Sequence, residues 1–271
     1  MENKGLDLAI DYNKQITKDF FLSFKSTLTF ARNKVLKMDE PPYFEYPGLS
    51  DVGHPLGTYW GYVADGLFPD QETIDNSPRQ DLGYTPQPGD IKYVNQPNAK
   101  GEYDNVINSN DRVAIGHPYD PELVYGFGPS MKWKNWDFSF FFQGVARTSF
   151  MMYGMHPFGT TSIKNMLQFV ADDHWSVDNP NPNAAYPRLT KDSNGNNDQY
   201  STYWLRNAAF LKLKNAEIGY TYKGMRFYLS GVNLLTFSPF KHWDPEMGGG
   251  NGLYYPTQRL SLIHISEPTR R

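Results

Sequence analysis

The feature that most constrains this chain is the long alternation of apolar and polar side chains from Phe20 to Asn33. Phe20, Leu22, Phe24, Ser26, Leu28 and Phe30 share one face, and Ser23, Lys25, Thr27, Thr29 and Asn33 share the other. A period of two residues is typical of a β-strand with different environments on its two sides. The predicted strand is longer than the usual strand of about 5–6 residues. Its length suits a tilted crossing of a bilayer.

Further segments repeat this pattern, in pairs joined by short polar turns. The predicted strands are Gly5–Asn13, Phe20–Asn33, Leu123–Trp133, Trp136–Phe142, Asn207–Tyr222 and Arg226–Leu235, and Tyr254–Arg259 begins another. The predicted tight turns are Gln15–Asp19, Lys134-Asn135 and Lys223-Gly224. The alternation slips before Asn215, which predicts a β-bulge at that point.

The connections between strands alternate between short and long. Val35–Glu122, Ala146–Thr202 and Thr236–Leu253 are rich in Pro, Gly, Asp and Asn and show no period, apart from a predicted short helix near Ile163–Ala171. Short turns at one end and long loops at the other are typical of an up-and-down membrane β-barrel. Trp133, Trp136, Tyr222 and Phe227 flank the short turns, as in an interfacial aromatic girdle. A soluble, aromatic-rich β-sandwich is the alternative, although long loops on one side are uncommon there.

Composition narrows the possible functions. The chain has no cysteine, which excludes disulfide scaffolds, thiolate zinc sites and cysteine nucleophiles. Its formal net charge of −3 and lack of a basic run argue against nucleic acid as a partner. A mean hydropathy of −0.62 with 16% aromatic residues remains compatible with a barrel, because only alternate strand residues face lipid.

We expect that neither end of this sequence is a natural terminus and that the sequence is part of a longer protein. Residues 260–271 resemble the translation of a transposase-type sequencing-library adaptor, and we expect them to be an artefact. At the other end, the strand pattern is already under way at Gly5. The expected organisation is therefore a partial β-barrel over residues 1–259, followed by the adaptor sequence.

Several motifs, in order along the chain, resemble the SusC/RagA-like family of TonB-dependent outer-membrane transporters. They are Gly57-Thr58-Tyr59-Trp60-Gly61-Tyr62 with Gly66-Leu67-Phe68, Pro88-Gly89-Asp90-Ile91-Lys92-Tyr93, Asn110-Asp111-Arg112 with Ile115-Gly116, Tyr125-Gly126-Phe127-Gly128, Phe142-Gln143-Gly144, Trp204–Asn215, Tyr228–Leu235 and Asp244-Pro245-Glu246. Each motif is weak alone, whereas the ordered set is specific.

The resemblance implies an all-β fold, an antiparallel up-and-down transmembrane β-barrel with long extracellular loops. This chain would supply about the last seven strands of a barrel of about twenty-two. The family's plug, TonB box and closing strand are not in the sequence.

The resemblance also implies a function. The whole protein would import oligosaccharides or oligopeptides across the outer membrane of a Gram-negative, Bacteroidetes-like cell. A SusD-like lipoprotein would cover the loops, and TonB–ExbB–ExbD would act through the missing plug. The family is not enzymatic and implies no cofactor.

Candidate ligand-binding residues are the loop aromatics Tyr59, Trp60, Tyr62, Trp175 and Trp243. Their flat faces suit stacking on sugar rings or apolar side chains, and packing within the loops is the alternative.

No metal site is predicted. The segment Asn95–Asp104 lacks the regular spacing of a calcium-binding loop. Asp104 and Asp111 are only weak candidates for a hard cation, and a loop held by Asx-turns is the favoured interpretation.

No catalytic residue is predicted either. Asp172, Asp173, Asp244 and Glu246 suggest a carboxylate pair, but we expect solvated loop charges because no element fixes their separation. The histidines show neither metal-ligand spacing nor a Ser-His-Asp arrangement. The polar-face residues Asp7, Asp11, Lys25 and Glu217 are expected to line a channel wall. The open alternatives are a secreted glycan-binding β-sandwich and a glycoside hydrolase.

Overall fold

The computed structural model describes residues 1–152, 158–159, 162–163, 167–190 and 193–247. The strands are β1 Glu2–Thr17, β2 Phe20–Lys34, β3 Tyr59–Gly61, β4 Ala64–Leu67, β5 Arg79–Gln80, β6 Ile91–Tyr93, β7 Val106–Ile107, β8 Val113–Ile115, β9 Leu123–Trp133, β10 Trp136–Ala146, β11 Ser149–Met151, β12 Phe158–Gly159, β13 Ser162–Ile163, β14 Leu205–Asn207, β15 Phe210–Tyr222 and β16 Met225–Phe237. Two α-helices, α1 Gln71–Asp75 and α2 Gln168–Asp172, and 3₁₀ turns at Pro47–Leu49, Ser109–Asp111 and Pro245–Met247 complete the fold. In this part of the chain, no helix has the length and apolar character needed to cross a membrane.

The long strands form one six-stranded antiparallel sheet in the order β1-β2-β9-β10-β15-β16, which we call the meander sheet. Each strand pairs with its neighbour in the chain or with the next long strand. The predicted all-β, up-and-down antiparallel architecture is therefore confirmed. The predicted seventh strand, Tyr254–Arg259, lies outside the described residues.

The register confirms the predicted faces of the sheet. Tyr12 pairs with Phe24, which pairs with Pro129, and Phe20 pairs with Trp133 on the same side. Asp11 pairs with Lys25 on the opposite side. We call these the apolar face and the polar face. The apolar face is open, since Leu6 on β1 is 60% and Leu229 on β16 is 74% exposed.

Tight turns join the strands at one end of the sheet. The predicted turns Lys134-Asn135 and Lys223-Gly224 are confirmed, and Lys134 and Lys223 adopt positive φ angles there. The predicted turn at Gln15–Asp19 was too long, because β1 continues to Thr17 through ladder pairs that a polar composition does not reveal.

The predicted bulge near Asn215 is confirmed. The β10–β15 register shifts between Phe141 and Phe142, and the β15–β16 register shifts between Leu213 and Asn215. An extra residue changes which positions point to which face of a sheet. Because of the shift, Lys212 before the bulge and Glu217 after it both belong to the polar face.

The long connections are more structured than the sequence predicted. Their described residues, which include the strands from β3 to β8, the strands from β11 to β13 and the helices α1 and α2, form together with β14 what we call the loop body. Four short strand pairs bring distant segments together: β3 with β8, β4 with β6, β5 with β7, and β11 with β14. The predicted helix near Ile163–Ala171 forms as α2 at Gln168–Asp172, while Ile163 lies in a strand. The main buried apolar cluster lies in this loop body and not in the meander sheet.

Candidate functional site

The buried carboxylate of Asp90 joins the first and second long connections. It is fully buried, and its Oδ1 accepts hydrogen bonds from Arg188 Nε at 2.7 Å and from the side-chain amides of Asn194 and Asn197 at 2.9 Å each. The Oδ2 accepts from the backbone N–H of Gln87 at 2.8 Å. Charged hydrogen bonds of this kind compensate the cost of burying a carboxylate. Asp90 therefore fixes the two connections relative to each other.

A second set of buried amides surrounds β6. The side-chain amides of Gln80 and Asn196 donate to the carbonyl of Ile91 at 3.0 and 2.8 Å, and the backbone N–H of Tyr93 donates to Gln80 Oε1 at 2.6 Å. The Tyr93 hydroxyl donates to the carbonyl of Asn196 at 2.8 Å. Burial raises the pKa of Tyr93 far above its usual value, so this hydroxyl stays a donor.

Aromatic rings form the apolar part of the loop body. Phe150 is fully buried and meets Phe240 edge-to-face, with 4.8 Å between ring centroids. Trp243 packs edge-to-face on Phe240 at 4.5 Å, and the ring of His242 stacks on Phe169 at 4.0 Å. Such contacts add to the stabilisation from buried area. The third connection is thereby packed onto the second.

An ionic cluster attaches the third connection to the meander sheet. The Nζ of Lys212 lies 2.7 Å from Glu246 Oε2 and 2.6 Å from Asp244 Oδ2, and the Nζ of Lys214 lies 2.7 Å from both Glu246 oxygens. The Lys212 side chain is fully buried. The prediction that Glu246 is a solvated loop charge is therefore wrong, because the bulged β15 directs two lysines toward it.

A groove of about 760 Å³ runs beside α1. Its lining includes Gln71, Ile74, Arg79, Asp81 and Tyr84. Asp70 caps α1 by accepting a hydrogen bond from the backbone N–H of Thr73 at 2.7 Å. The hydrogen bond from the Thr73 hydroxyl, also at 2.7 Å, and then this backbone bond lower the pKa of Asp70. The mixture of apolar, amide and charged groups is typical of a surface that orients a polar ligand.

Sequence reasoning did not single out the groove residues, because Gln71, Arg79 and Tyr84 stand in an unpatterned segment. The position of Tyr84 depends on a residue far along the chain, since Arg188 Nη2 donates to its hydroxyl at 2.6 Å. No local pattern predicts that contact.

The five predicted binding aromatics do not meet at one place. Tyr62 and Trp175 are buried, with 3% and 6% exposure, and belong to the core of the loop body. Tyr59 and Trp60 lie half-buried on β3, and Trp243 lies half-buried against the aromatic core. Among the residues that the structure describes, none accepts a hydrogen bond from the indole N–H groups of Trp175 and Trp243. Ligand binding by these residues stays a prediction.

The two weak metal candidates also have local roles. Asp111 is 3% exposed, and its carboxylate accepts from the backbone N–H groups of Gln96 at 2.7 Å and Asn108 at 2.8 Å. Burial raises the pKa of Asp111. Asp104 accepts from the backbone N–H of Val106 at 3.0 Å, as in an Asx-turn. Within the residues the structure describes, no three His, Asp or Glu side chains form a group that fits a metal ion.

The polar face of the meander sheet carries charged side chains on its first two strands, β1 and β2, and on its last three, β10, β15 and β16. Lys25 and Asp11 are 3.9 Å apart. Arg226 bonds to both Asp137 and Glu217 near the tight turns. Asp11, Lys25 and Glu217, which the sequence assigned to a channel wall, thus lie on one common face, as does Asp7.

Comparisons with known proteins place these features in context. No protein-family model matches the chain. A TonB-dependent receptor of Formosa agariphila is 29% identical over 278 residues, which cover 93% of this chain and 26% of the relative. The TonB-dependent receptor SusC of Bacteroides thetaiotaomicron is 25% identical over 289 residues, covering 98% of this chain and 26% of SusC. The chain thus spans about a quarter of the length of the curated relatives it matches.

The fold of this chain is also similar to that of solved structures. The structure of the RagAB peptide transporter superposes with a TM-score of 0.64 at 20% sequence identity, covering 93% of this chain and 28% of that chain. The RagAB peptide importer in its closed-closed state superposes equally well, with a TM-score of 0.64. The meander sheet thus has the fold of a segment of a transporter β-barrel, and over nearly all of its length this chain is similar to part of the SusC- and RagA-type TonB-dependent receptors.

Proposed function

We propose that this chain is part of an outer-membrane importer that depends on TonB and takes up oligosaccharides or oligopeptides. The observation that carries the proposal is the architecture of the meander sheet. Its apolar face is open, its polar face carries ionised groups, tight turns lie at one end, and an ordered loop body lies at the other. A sheet with one lipid-facing and one water-facing side is suited to a barrel wall.

In this proposal the loop body is extracellular and contacts the substrate. The groove beside α1 and the half-buried aromatics Tyr59, Trp60 and Trp243 are its candidate contact surfaces. For the buried rings of Tyr62 and Trp175, direct contact would require the loop body to open. The RagAB neighbours are a peptide transporter and a peptide importer, which supports the oligopeptide class, whereas the oligosaccharide class rests on the resemblance in sequence.

The proposed partners are those that the resemblance in sequence implies. A SusD-like lipoprotein would close over the loop body, and TonB–ExbB–ExbD would supply energy through a plug outside this chain. No chemistry is proposed for Asp172 or Asp173. No enzymatic role is assigned, in keeping with relatives that are receptors and transporters.

The barrel-wall assignment is tested with single cysteines, since the chain has none of its own. In the complete receptor, Phe138→Cys, Phe140→Cys and Phe142→Cys should react with a thiol probe confined to the bilayer. Ser139→Cys and Gln143→Cys on the polar face are the matched controls and should react only with a water-soluble probe. The opposite pattern, or no reaction with the bilayer probe at any of the three, would favour the secreted glycan-binding β-sandwich.

Import is tested separately with the complete receptor in a Gram-negative host. Uptake of labelled oligosaccharides and oligopeptides should stop when TonB is deleted. Trp60→Ala should lower uptake severalfold, whereas Phe44→Ala, at a site 85% exposed, is the matched control and should leave uptake unchanged. Uptake that survives loss of TonB would contradict the proposed energy source.

A further inference from the structure

Each of the three tight turns of the meander sheet carries a lysine. Lys18, Lys134 and Lys223 occupy corresponding positions between consecutive strands. The turns lie side by side, since the backbone N–H of Lys134 donates to the carbonyl of Asp19 at 2.8 Å. The N–H of Thr221 donates to the carbonyl of Asn135, also at 2.8 Å. The lysines therefore form one row along the edge of the sheet, which we call the turn row.

Two of these lysines lie over aromatic rings of the apolar face. The Nζ of Lys134 is 5.8 Å from the ring centroid of Trp133, and the Nζ of Lys223 is 5.4 Å from that of Tyr222. Both rings are about half exposed. A cation at this distance from a ring is attracted to its face. The contacts hold the ammonium groups at the border of the apolar face and away from the polar face.

The positive charge of the turn row is not balanced nearby. Asp19 is the one acidic residue within these three turns. Arg226 donates to both Asp137 and Glu217 on the polar face, so those carboxylates are already paired. Among the described residues, none of the three turn lysines forms an ion pair with a carboxylate.

We propose that the turn row binds the phosphate groups of anionic phospholipids in the leaflet that surrounds the tight turns. This inference rests on the proposed membrane location. Aromatic rings at the end of an apolar band lie at the depth of lipid headgroups, and lysines extend from there to the phosphates. Each basic group near an anionic membrane surface contributes about 1 kcal/mol, equivalent to roughly a fivefold preference. An acidic protein partner would not require the lysines to adjoin the apolar face.

The experiment uses the complete receptor in proteoliposomes, with Asn135→Cys as its sole cysteine labelled by an environment-sensitive fluorophore. Quenching is compared between spin-labelled phosphatidylglycerol and spin-labelled phosphatidylcholine at equal mole fractions. The test variant combines Lys18→Gln, Lys134→Gln and Lys223→Gln. The matched control removes three exposed loop lysines instead, by Lys37→Gln, Lys100→Gln and Lys241→Gln.

We expect phosphatidylglycerol to quench at a mole fraction roughly fivefold lower than phosphatidylcholine in the unmodified receptor and in the control. The test variant should lose this preference, and added salt should weaken it. Equal quenching by the two lipids in the unmodified receptor, or a preference that survives in the test variant, overturns the lipid site alone. Absence of quenching by either lipid overturns the membrane location of the turns, and with it the proposed function.

Discussion

The meander sheet and the loop body are stabilised by different interactions. In the sheet, β16 is exposed along almost its whole length, and the strands are held mainly by the backbone ladder. In the loop body, Phe150, Tyr93 and Asp90 are buried, and side chains bond to backbone groups about a hundred residues away. The stability of the sheet depends on backbone pairing and on the medium that contacts its faces, whereas the loop body contains its own buried core.

The comparison indicates which substitutions each region tolerates. A sheet whose two faces are exposed to solvent or lipid accepts many side chains. The exceptions are positions where the neighbouring backbone lies too close for a Cβ atom. Gly128 illustrates this, because a Cβ there would collide with the carbonyl of Phe140 on the neighbouring strand. The loop body accepts few changes at its buried polar groups, since each loss leaves partners unsatisfied.

The largest effect is expected from Asp90→Ala. The substitution leaves Arg188, Asn194 and Asn197 without their shared acceptor, and breaking a buried charged pair costs about 3–5 kcal/mol. Hydrogen exchange of the complete receptor should show faster opening of residues 79–93, 186–190 and 193–198 while β2 and β9 stay protected. Asp65→Ala is the control, because its ion pair with Lys92 is exposed and such pairs contribute about 0–1 kcal/mol. Equal effects of the two substitutions would show that the hydrogen bonds of Asp90 do not stabilise the loop body.

A slightly smaller effect is expected from Glu246→Ala at the contact between the two regions. The buried Lys212 and Lys214 would lose their common partner, at a cost of about 3 kcal/mol. Hydrogen exchange should increase in residues 238–247 and leave the core around Asp90 unchanged. Glu72→Ala on exposed α1 is the matched control. If protection around Asp90 fell as well, the third connection and the core would be one cooperative unit.

The sequence allowed the meander sheet to be predicted closely and the loop body hardly at all. A period of two marks every strand of the sheet, and the shift before Asn215 marks its bulge, because strand faces are set locally. The loop body depends on contacts such as Asp90 with Arg188 and Lys212 with Glu246, which no local pattern shows. The candidate aromatics were found by residue type alone, so exposed and buried rings could not be distinguished.

A moderate effect is expected from Asp111→Asn. The carboxylate accepts two backbone hydrogen bonds, whereas one end of an amide is a donor and would face the N–H of Gln96 or Asn108. An unsatisfied buried group costs about 1–3 kcal/mol, which hydrogen exchange of residues 94–112 would report. Asp104→Asn is the matched control and should cost less, because Asp104 is exposed and accepts one backbone N–H. Added calcium should change neither variant; a calcium-dependent gain in protection that Asp111→Asn abolishes would instead identify a cation site.

The smallest effect is expected from the titration of His242, which lies where the third connection packs on the second. Burial against Phe169 and, secondarily, the positive charge of Arg206 lower the pKa of His242 below its ordinary value near 6.5. The folded loop therefore binds the proton less readily than the unfolded loop. Its stabilising contribution is complete above the ordinary pKa and is lost as the pH falls through the lower folded value. Hydrogen exchange of residues 238–247, corrected for intrinsic rates, should speed up slightly between pH 7.5 and 5.5. His242→Gln should remove this dependence, whereas a dependence that is unchanged in His242→Gln would show that the imidazole of His242 is not its source.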